Sequence, residues 1–228
     1  MKDPIAVYLE TGRKRVFAGA IHWPGWSRSG RDRDAAIDAL LEYGARYAAA
    51  VASARLGFEP PAASRSLDVV ETLEGNATTD FGAPGVAPAL DARPLDATEL
   101  KRQDRILRTC WRAFDRAAEQ ARGATLSTGP RGGGRSLAKI VAHVLEADGA
   151  YLHRLGGRYR GHDPAELREV FLETLASRAK GEEPPKGRRT APLWFPRYAV
   201  RRSAWHALDH AWEIEDRAGK GRGGTRRT

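Results

Sequence analysis

Short runs of apolar residues with little helical period open the chain, and a 3.6-residue period takes over from about residue 96. IAVYLE and RVFAGAIH carry the β-branched and aromatic content of strands, and TGRK between them supplies a turn with Gly12 as its permissive residue. In WPGWSRSG, Pro24 and Gly25 turn the chain and Trp26 leads into a short third strand. Asp32 or a nearby polar residue then caps one long helix, DAAIDALLEYGARYAAAVASARL, whose Ile37, Leu40, Leu41, Tyr47 and Val51 form a face for the sheet. SLDVVETLE alternates as a fourth strand should. The stretch after it, up to residue 95, is rich in Gly, Ala and Pro and predicts a linker of extended character, with Phe81, Val86 and Leu90 available to pack.

The helical period then defines four elements. Asp96 and Glu99 have capping-box spacing ahead of a helix in which Leu100, Leu107, Phe114 and Ala121 recur every seven residues, beside a stripe of Ile106, Cys110, Ala113 and Ala117. The second helix, SLAKIVAHVLEADGAYLHRL, has His143 at the edge of its apolar arc and Asp148 within it. A carboxylate in an apolar arc needs a partner: either a metal-bound histidine that it orients, or a buried tyrosine or arginine. Asp163, Pro164 and Glu166 give the third helix an N-cap, a first-turn proline and a capping-box glutamate. The fourth begins near Pro196, with Ala199, Val200, Ala204, Ala207, Leu208, Ala211 and Ile214 inward.

The predicted fold is therefore α+β: a β-β-β-α-β unit over residues 1–75, a linker over 76–95, an all-α four-helix bundle over 96–218 and a basic tail over 219–228. The net charge is +9, yet the basic residues are dispersed or gathered in the Gly-rich tail, and no aromatic residues alternate with them as a base-stacking surface requires, which argues against nucleic acid. No apolar run approaches a membrane span, and the first residues lack the pattern of an export signal. A single cysteine excludes an internal disulfide framework and points to a reducing cytoplasm; on its apolar stripe Cys110 reads as an inert buried thiol. GPRGGGRS comes within one residue of a phosphate-binding loop, with Arg135 where the lysine belongs, but ATLST before it is a poor strand and the segment reads as an interhelical loop.

The strongest chemical signal is WHALDHAWEIEDR. His206 and His210, four apart, sit one turn above each other on one helical face, with Glu213 on the same stripe and Trp205 and Trp212 beyond the other edge of the apolar arc. Such a pair can hold a metal ion or simply satisfy a core. Trp194 and Phe195, within the proline-rich segment 181–197, and Tyr198 just after it can wall a cavity over the histidines or pack the end of the bundle. His22, next to Trp23, lacks a second ligand at local spacing and reads as a strand-end residue.

Two resemblances extend this reading. VFAGAIHWPGWSRSGRDRDAAIDALLEYG resembles the HicB-like antitoxin fold through Pro24, Gly25, Ser29, Gly30, Asp34, Ala35 and Ala36; it lacks a DNA-binding segment directly after it, so the resemblance implies the fold and not the antitoxin role. From residue 95 to 218 the chain resembles the DinB/YfiT-like metalloenzyme family. One histidine on helix two, the tyrosine eight residues later and the ending HALDHAWEIEDR carry the resemblance. It implies a divalent metal ion, Zn²⁺ or Ni²⁺, bound by His143, His206 and His210 with water completing the shell. Three neutral imidazoles leave such an ion its positive charge and an open position, the arrangement of catalytic sites. Glu146, Asp209 and Glu213 would orient imidazole N–H groups or act as a base, surface ion pairing being the alternative for Glu146.

The expected activity is that of a cytoplasmic enzyme activating water or a thiol against a small-molecule substrate, as a hydrolase or as a transferase using a low-molecular-weight thiol. The alternative is a non-catalytic regulatory protein whose N-terminal domain recruits a protein or nucleic-acid partner. A homodimer is compatible with either.

Overall fold

The computed structural model describes residues 3–128, 134–184 and 191–222. Most of the GPRGGGRS loop, part of the proline-rich segment after the third bundle helix and the last six residues of the basic tail lie outside the described residues.

The N-terminal part is a four-stranded sheet. β1 (Ile5–Thr11) and β2 (Val16–Ala20) form the expected hairpin, with Val7 opposite Ala20 and Thr11 opposite Val16, closed by Gly12 N donating to the Arg15 carbonyl at 2.9 Å. β3 (Ser27–Gly30) adds antiparallel to β2, and β4 (Leu67–Glu74) lies parallel to β1 on its other side, giving the order β3-β2-β1-β4. A parallel partner needs a crossover, which the intervening helices supply. Asp32 caps the first, its carboxylate accepting from Ala35 N at 2.9 Å.

The single long helix expected after Asp32 is instead two, α1 (Arg33–Glu42) and α2 (Gly44–Val51). Gly44 is a poor helix former, and a side chain there would press on Pro60 at 3.2 Å. The break directs Tyr43 to one side and Tyr47 to the other. Tyr47 stacks on fully buried Trp26 at 6.0 Å and donates its hydroxyl to the Pro24 carbonyl at 2.9 Å; Trp26 donates its indole N–H to the Leu40 carbonyl at 2.9 Å. The buried polar atoms of Tyr47 and Trp26 thus both have a partner.

The segment expected as an extended linker is structured and packed. Asn76 caps α3 (Ala77–Phe81), accepting from Thr78 N at 2.8 Å, and a 3₁₀ turn spans Ala89–Ala92. The cause is Glu10, a carboxylate with no exposure. It accepts from Gly85 N at 2.8 Å, Val86 N at 3.1 Å and the Thr79 hydroxyl, satisfying the charge that the sheet buries. Phe81, counted among the packing residues, is 81% exposed.

Four mutually packed helices follow: α4 (Ala97–Gln120), α5 (Leu137–Leu155), α6 (Pro164–Ala179) and α7 (Pro196–Arg222). The caps read from sequence are present at α4, where Asp96 and Glu99 form the capping box, and at α6, where Asp163 accepts from Ala165 N at 2.8 Å. Glu166 does not close a box; its carboxylate accepts from the Tyr159 hydroxyl at 2.7 Å. Ile106, Leu107, Cys110, Ala113, Phe114, Ala117 and Ala121 are buried as the periodicity requires. Helix α7 continues to Arg222, so the tail expected from residue 219 begins as helix.

The protein is α+β, and sheet and helices share one continuous apolar core that includes Trp26, Leu40 and Tyr47 together with Ile106, Phe114 and Leu208. Helix α7 joins them. Arg201 is buried, donates to both oxygens of buried Asp91 at 2.8 Å, and donates again to the carbonyls of Ala20 at 2.7 Å and Ile21 at 2.9 Å. Gly25, at φ 93°, brings the strand-connecting turn onto α7, where an added Cβ would meet Leu208 at 3.1 Å and Ala204 at 3.2 Å. No helix among the described residues is long and apolar enough to cross a membrane.

Candidate metal centre

Helices α5 and α7 pack against each other, and the edge positions that the helical wheel assigns to His143, His206 and His210 meet in that seam. Each ring offers a nitrogen that lies within 4.8 Å of the other two. His143 Nε2 and His206 Nε2 are 3.2 Å apart. Two nitrogens about 2.05 Å from one tetrahedral ion stand roughly 3.3 Å apart, so this separation fits two ligands of one metal. Ring centroids are 4.6 to 5.1 Å apart and all three pairs are steeply inclined, so the rings meet edge to face and do not stack.

The surroundings favour the neutral form of His206 and His143. Burial pushes His206 well below the ordinary imidazole value, reinforced by the neighbouring His210 and Arg202, and burial with the His210 charge lowers His143. A neutral imidazole is the form that ligates. His210 Nδ1 lies 2.8 Å from Glu213 Oε2, so this nitrogen carries the proton and Nε2 is left as the free donor. The same carboxylate takes a bond from Arg217 Nη1 at 2.7 Å, and its pKa is lowered chiefly by the bond to His210. Arg217 in turn donates to the carbonyls of Ser127 and Arg135, both at 2.8 Å, anchoring the loop side of the site. His206 Nδ1, the ring nitrogen not in the 3.2 Å pair, is buried and has no hydrogen-bond partner among the described residues.

Of the carboxylates named from sequence, Glu213 alone hydrogen-bonds one of the three imidazoles. Asp209 instead pairs with Arg28 at 2.8 Å, pinning α7 to β3. Glu146 is exposed and acts on His143 only through its charge. Asp148 does not orient a histidine, nor does it bond a tyrosine: it accepts from Ser203 Oγ at 3.0 Å and Trp111 Nε1 at 3.4 Å, with Arg168 Nε 3.7 Å away. Burial raises its pKa to about 6. Burial also raises the Cys110 thiol, which is inert in the core. His22 and His153 are exposed, apart from the cluster.

The aromatic residues divide as the wheel implied. Trp212 faces Tyr43 at 5.0 Å, beneath the Arg28 and Arg46 guanidinium groups, and Trp205 meets Phe17 edge-on at 6.0 Å, so both seat α7 against the N-terminal part. Trp194 packs on Tyr151 at 5.1 Å and on Tyr198 at 5.0 Å, while Phe195 is 48% exposed. The Tyr151 ring is itself 5.7 Å from that of His206. Trp194 and Tyr198 thus pack against the bundle and are linked to the histidines only through Tyr151. Two surface clefts, one between α2, α4 and α7 around Arg46 and Trp212, the other between α4 and α6 around Leu100 and Leu172, are lined by other residues.

Arg202 and Arg217 were not named as site residues from sequence. Both carry a readable signal: Arg202 stands four before His206 and Arg217 four after Glu213, so helical spacing alone puts each next to a residue of the stripe. The chain matches no protein-family model, no curated protein and no solved structure.

Proposed function

We propose that the protein is a metal-dependent enzyme in which His143, His206 and His210 hold a divalent ion, Zn²⁺ or Ni²⁺, and that it activates water or a thiol toward a small-molecule substrate, as the DinB-like resemblance of the bundle implies. The observation that carries this reading is the convergence of three buried or half-buried imidazoles, with two nitrogens 3.2 Å apart and a third whose outer nitrogen is held by Glu213. Surface histidines have no reason to meet so closely.

When bound, such an ion lowers the pKa of a water or thiol on its open position toward neutrality. The chain's own contribution is to keep two ligands unprotonated by burial, to fix the tautomer of the third through Glu213, and to wall the seam with Tyr151 and Trp194. Of Glu146, Asp209 and Glu213, it is Glu213 that reaches a ligand, and Arg217 holds it there.

Metal analysis of the purified protein beside His143→Ala and His210→Ala tests this. The wild type is expected to retain one divalent ion per chain and to gain thermal stability on adding Zn²⁺ or Ni²⁺, by about 4 kcal/mol at a thousandfold excess over Kd. Each variant should lose both properties. A wild-type protein whose melting temperature ignores both ions would overturn the reading.

A further inference from the structure

Four arginines of α7 are buried among the described residues, and three of them are neutralised. Arg197 meets Glu99 and the carbonyls of Arg93 and Pro94, Arg201 meets Asp91 and two carbonyls, and Arg217 meets Glu213 and two carbonyls. Arg202 is different. Only 7% exposed, it makes one hydrogen bond, from Nη2 to the Tyr151 hydroxyl at 3.2 Å, and its Nη1 is buried without a partner. Its guanidinium carbon lies 4.9 Å from the Trp205 ring and 5.4 Å from the Tyr151 ring. Those rings lower the cost of holding a cation there, but they accept no hydrogen bond in the guanidinium plane and bring no negative charge.

A buried guanidinium left without an anion costs several kcal/mol, and an anion that completed its hydrogen bonds would offset that cost. The location says which ligand. Arg202 is one helical turn before His206, and the Tyr151 ring touches both residues, so the unfilled donor is directly beside the three imidazoles. The acidic residues near that seam make no bond to Arg202: Asp209 pairs with Arg28, Glu213 with His210 and Arg217, and Asp148 accepts from Ser203 and Trp111 through Oδ1 while its Oδ2 lies 3.7 Å from Arg168. The sequences of 129–133, 185–190 and 223–228 contain no Asp or Glu that could reach in instead.

We propose that Arg202, assisted by the Tyr151 hydroxyl, binds a carboxylate or a similarly compact anionic group of the substrate, while the reacting part of the same molecule occupies the metal centre. This inference rests on the metal reading and narrows it to anionic small molecules. A planar carboxylate suits a guanidinium that offers free N–H groups, and an ion on three neutral ligands next to an unpaired arginine makes a strongly electropositive site, which draws anions and disfavours cationic or neutral substrates.

The test uses the full-length protein loaded with Co²⁺, whose visible spectrum reports ligands joining the ion, and two thiols of equal chain length, 3-mercaptopropionate and neutral 3-mercaptopropanol. The wild type is expected to bind the carboxylate thiol about tenfold to a hundredfold more tightly, the range of a charge-assisted hydrogen bond. Arg202→Gln should bring the two affinities together without changing cobalt content or the affinity for the neutral thiol. Equal affinities in the wild type, or a preference that survives Arg202→Gln because the ion chelates the carboxylate itself, would overturn the proposal while leaving the metal reading standing. A protein that takes up no Co²⁺ removes both. Should Arg202→Gln fail to fold, Tyr151→Phe decides: a reduced preference supports the carboxylate site and an unchanged one refutes it.

Discussion

Asp148 shows how much one side chain can cost. It is a carboxylate in a helix face that is otherwise apolar, with a pKa raised from 3.8 to about 6 by burial. The folded state therefore binds its proton more tightly than the unfolded state does. The associated stability is complete below pH 4 and is lost as pH rises through 6, a loss of roughly 3 kcal/mol for a shift of about two units. Asp148→Asn keeps the shape and removes the charge, so urea denaturation at pH 4.5 and 7.5 should show the variant free of that decline and at least as stable as wild type at the higher pH. An unchanged pH slope would mean that Asp148 stays ionised through its contacts with Arg168 and Ser203. At this scale the sequence was only half legible. The position of Asp148 on the apolar arc revealed that it needs partners, but Ser203 and Trp111 come from other helices, and no local spacing identifies them. Likewise Asp209 and Glu213 looked equivalent as neighbours of the histidines; only the approach of Arg28 from β3 separates them.

The elements that could be read were those with one demanding face. The caps of α4 and α6 and the histidine edges follow from spacings of two to four residues, which a helix converts directly into neighbours. Where the outcome depended on another element, reading failed: the break at Tyr43 serves contacts with Trp212 and Arg28, and the segment after β4 folds around a glutamate some seventy residues earlier in the chain. Gly30 ties β3 to α1. A Cβ there would stand 2.3 Å from Ala36 N and 2.4 Å from the Ala35 carbonyl carbon, both backbone atoms that cannot swing aside. Gly30→Ala should force the helix away from the strand and destabilise the protein by about 1 to 3 kcal/mol. Guanidinium denaturation measures this, and a variant within 0.5 kcal/mol of wild type, the usual range of a surface substitution, would show that α1 shifts freely.

For the molecule as a whole, the Arg201 clasp is decisive because it joins β2, the 3₁₀ turn and α7 at one buried point. Asp91→Ala leaves a buried cation with carbonyls alone and should cost about 3 to 5 kcal/mol, whereas Asp91→Leu combined with Arg201→Met should recover most of it. Equilibrium unfolding followed by tryptophan fluorescence and by circular dichroism should give one coincident transition for every variant, since sheet and helices share a core. Two separated transitions would show that the halves unfold on their own.

The same clasp has a consequence in time. Arg201 follows the Ala20 and Ile21 carbonyls that it fills by about 180 residues, and Trp205 follows Phe17 by slightly more. A ribosome delivers the chain from its N-terminus at about 5 to 20 residues per second, so the sheet waits many seconds for the helix that completes it. During that interval its inner face is open to any apolar surface nearby. The part of the protein made first is therefore among the last to be finished, and the newborn chain, more than the mature one, is where assistance in folding would be needed.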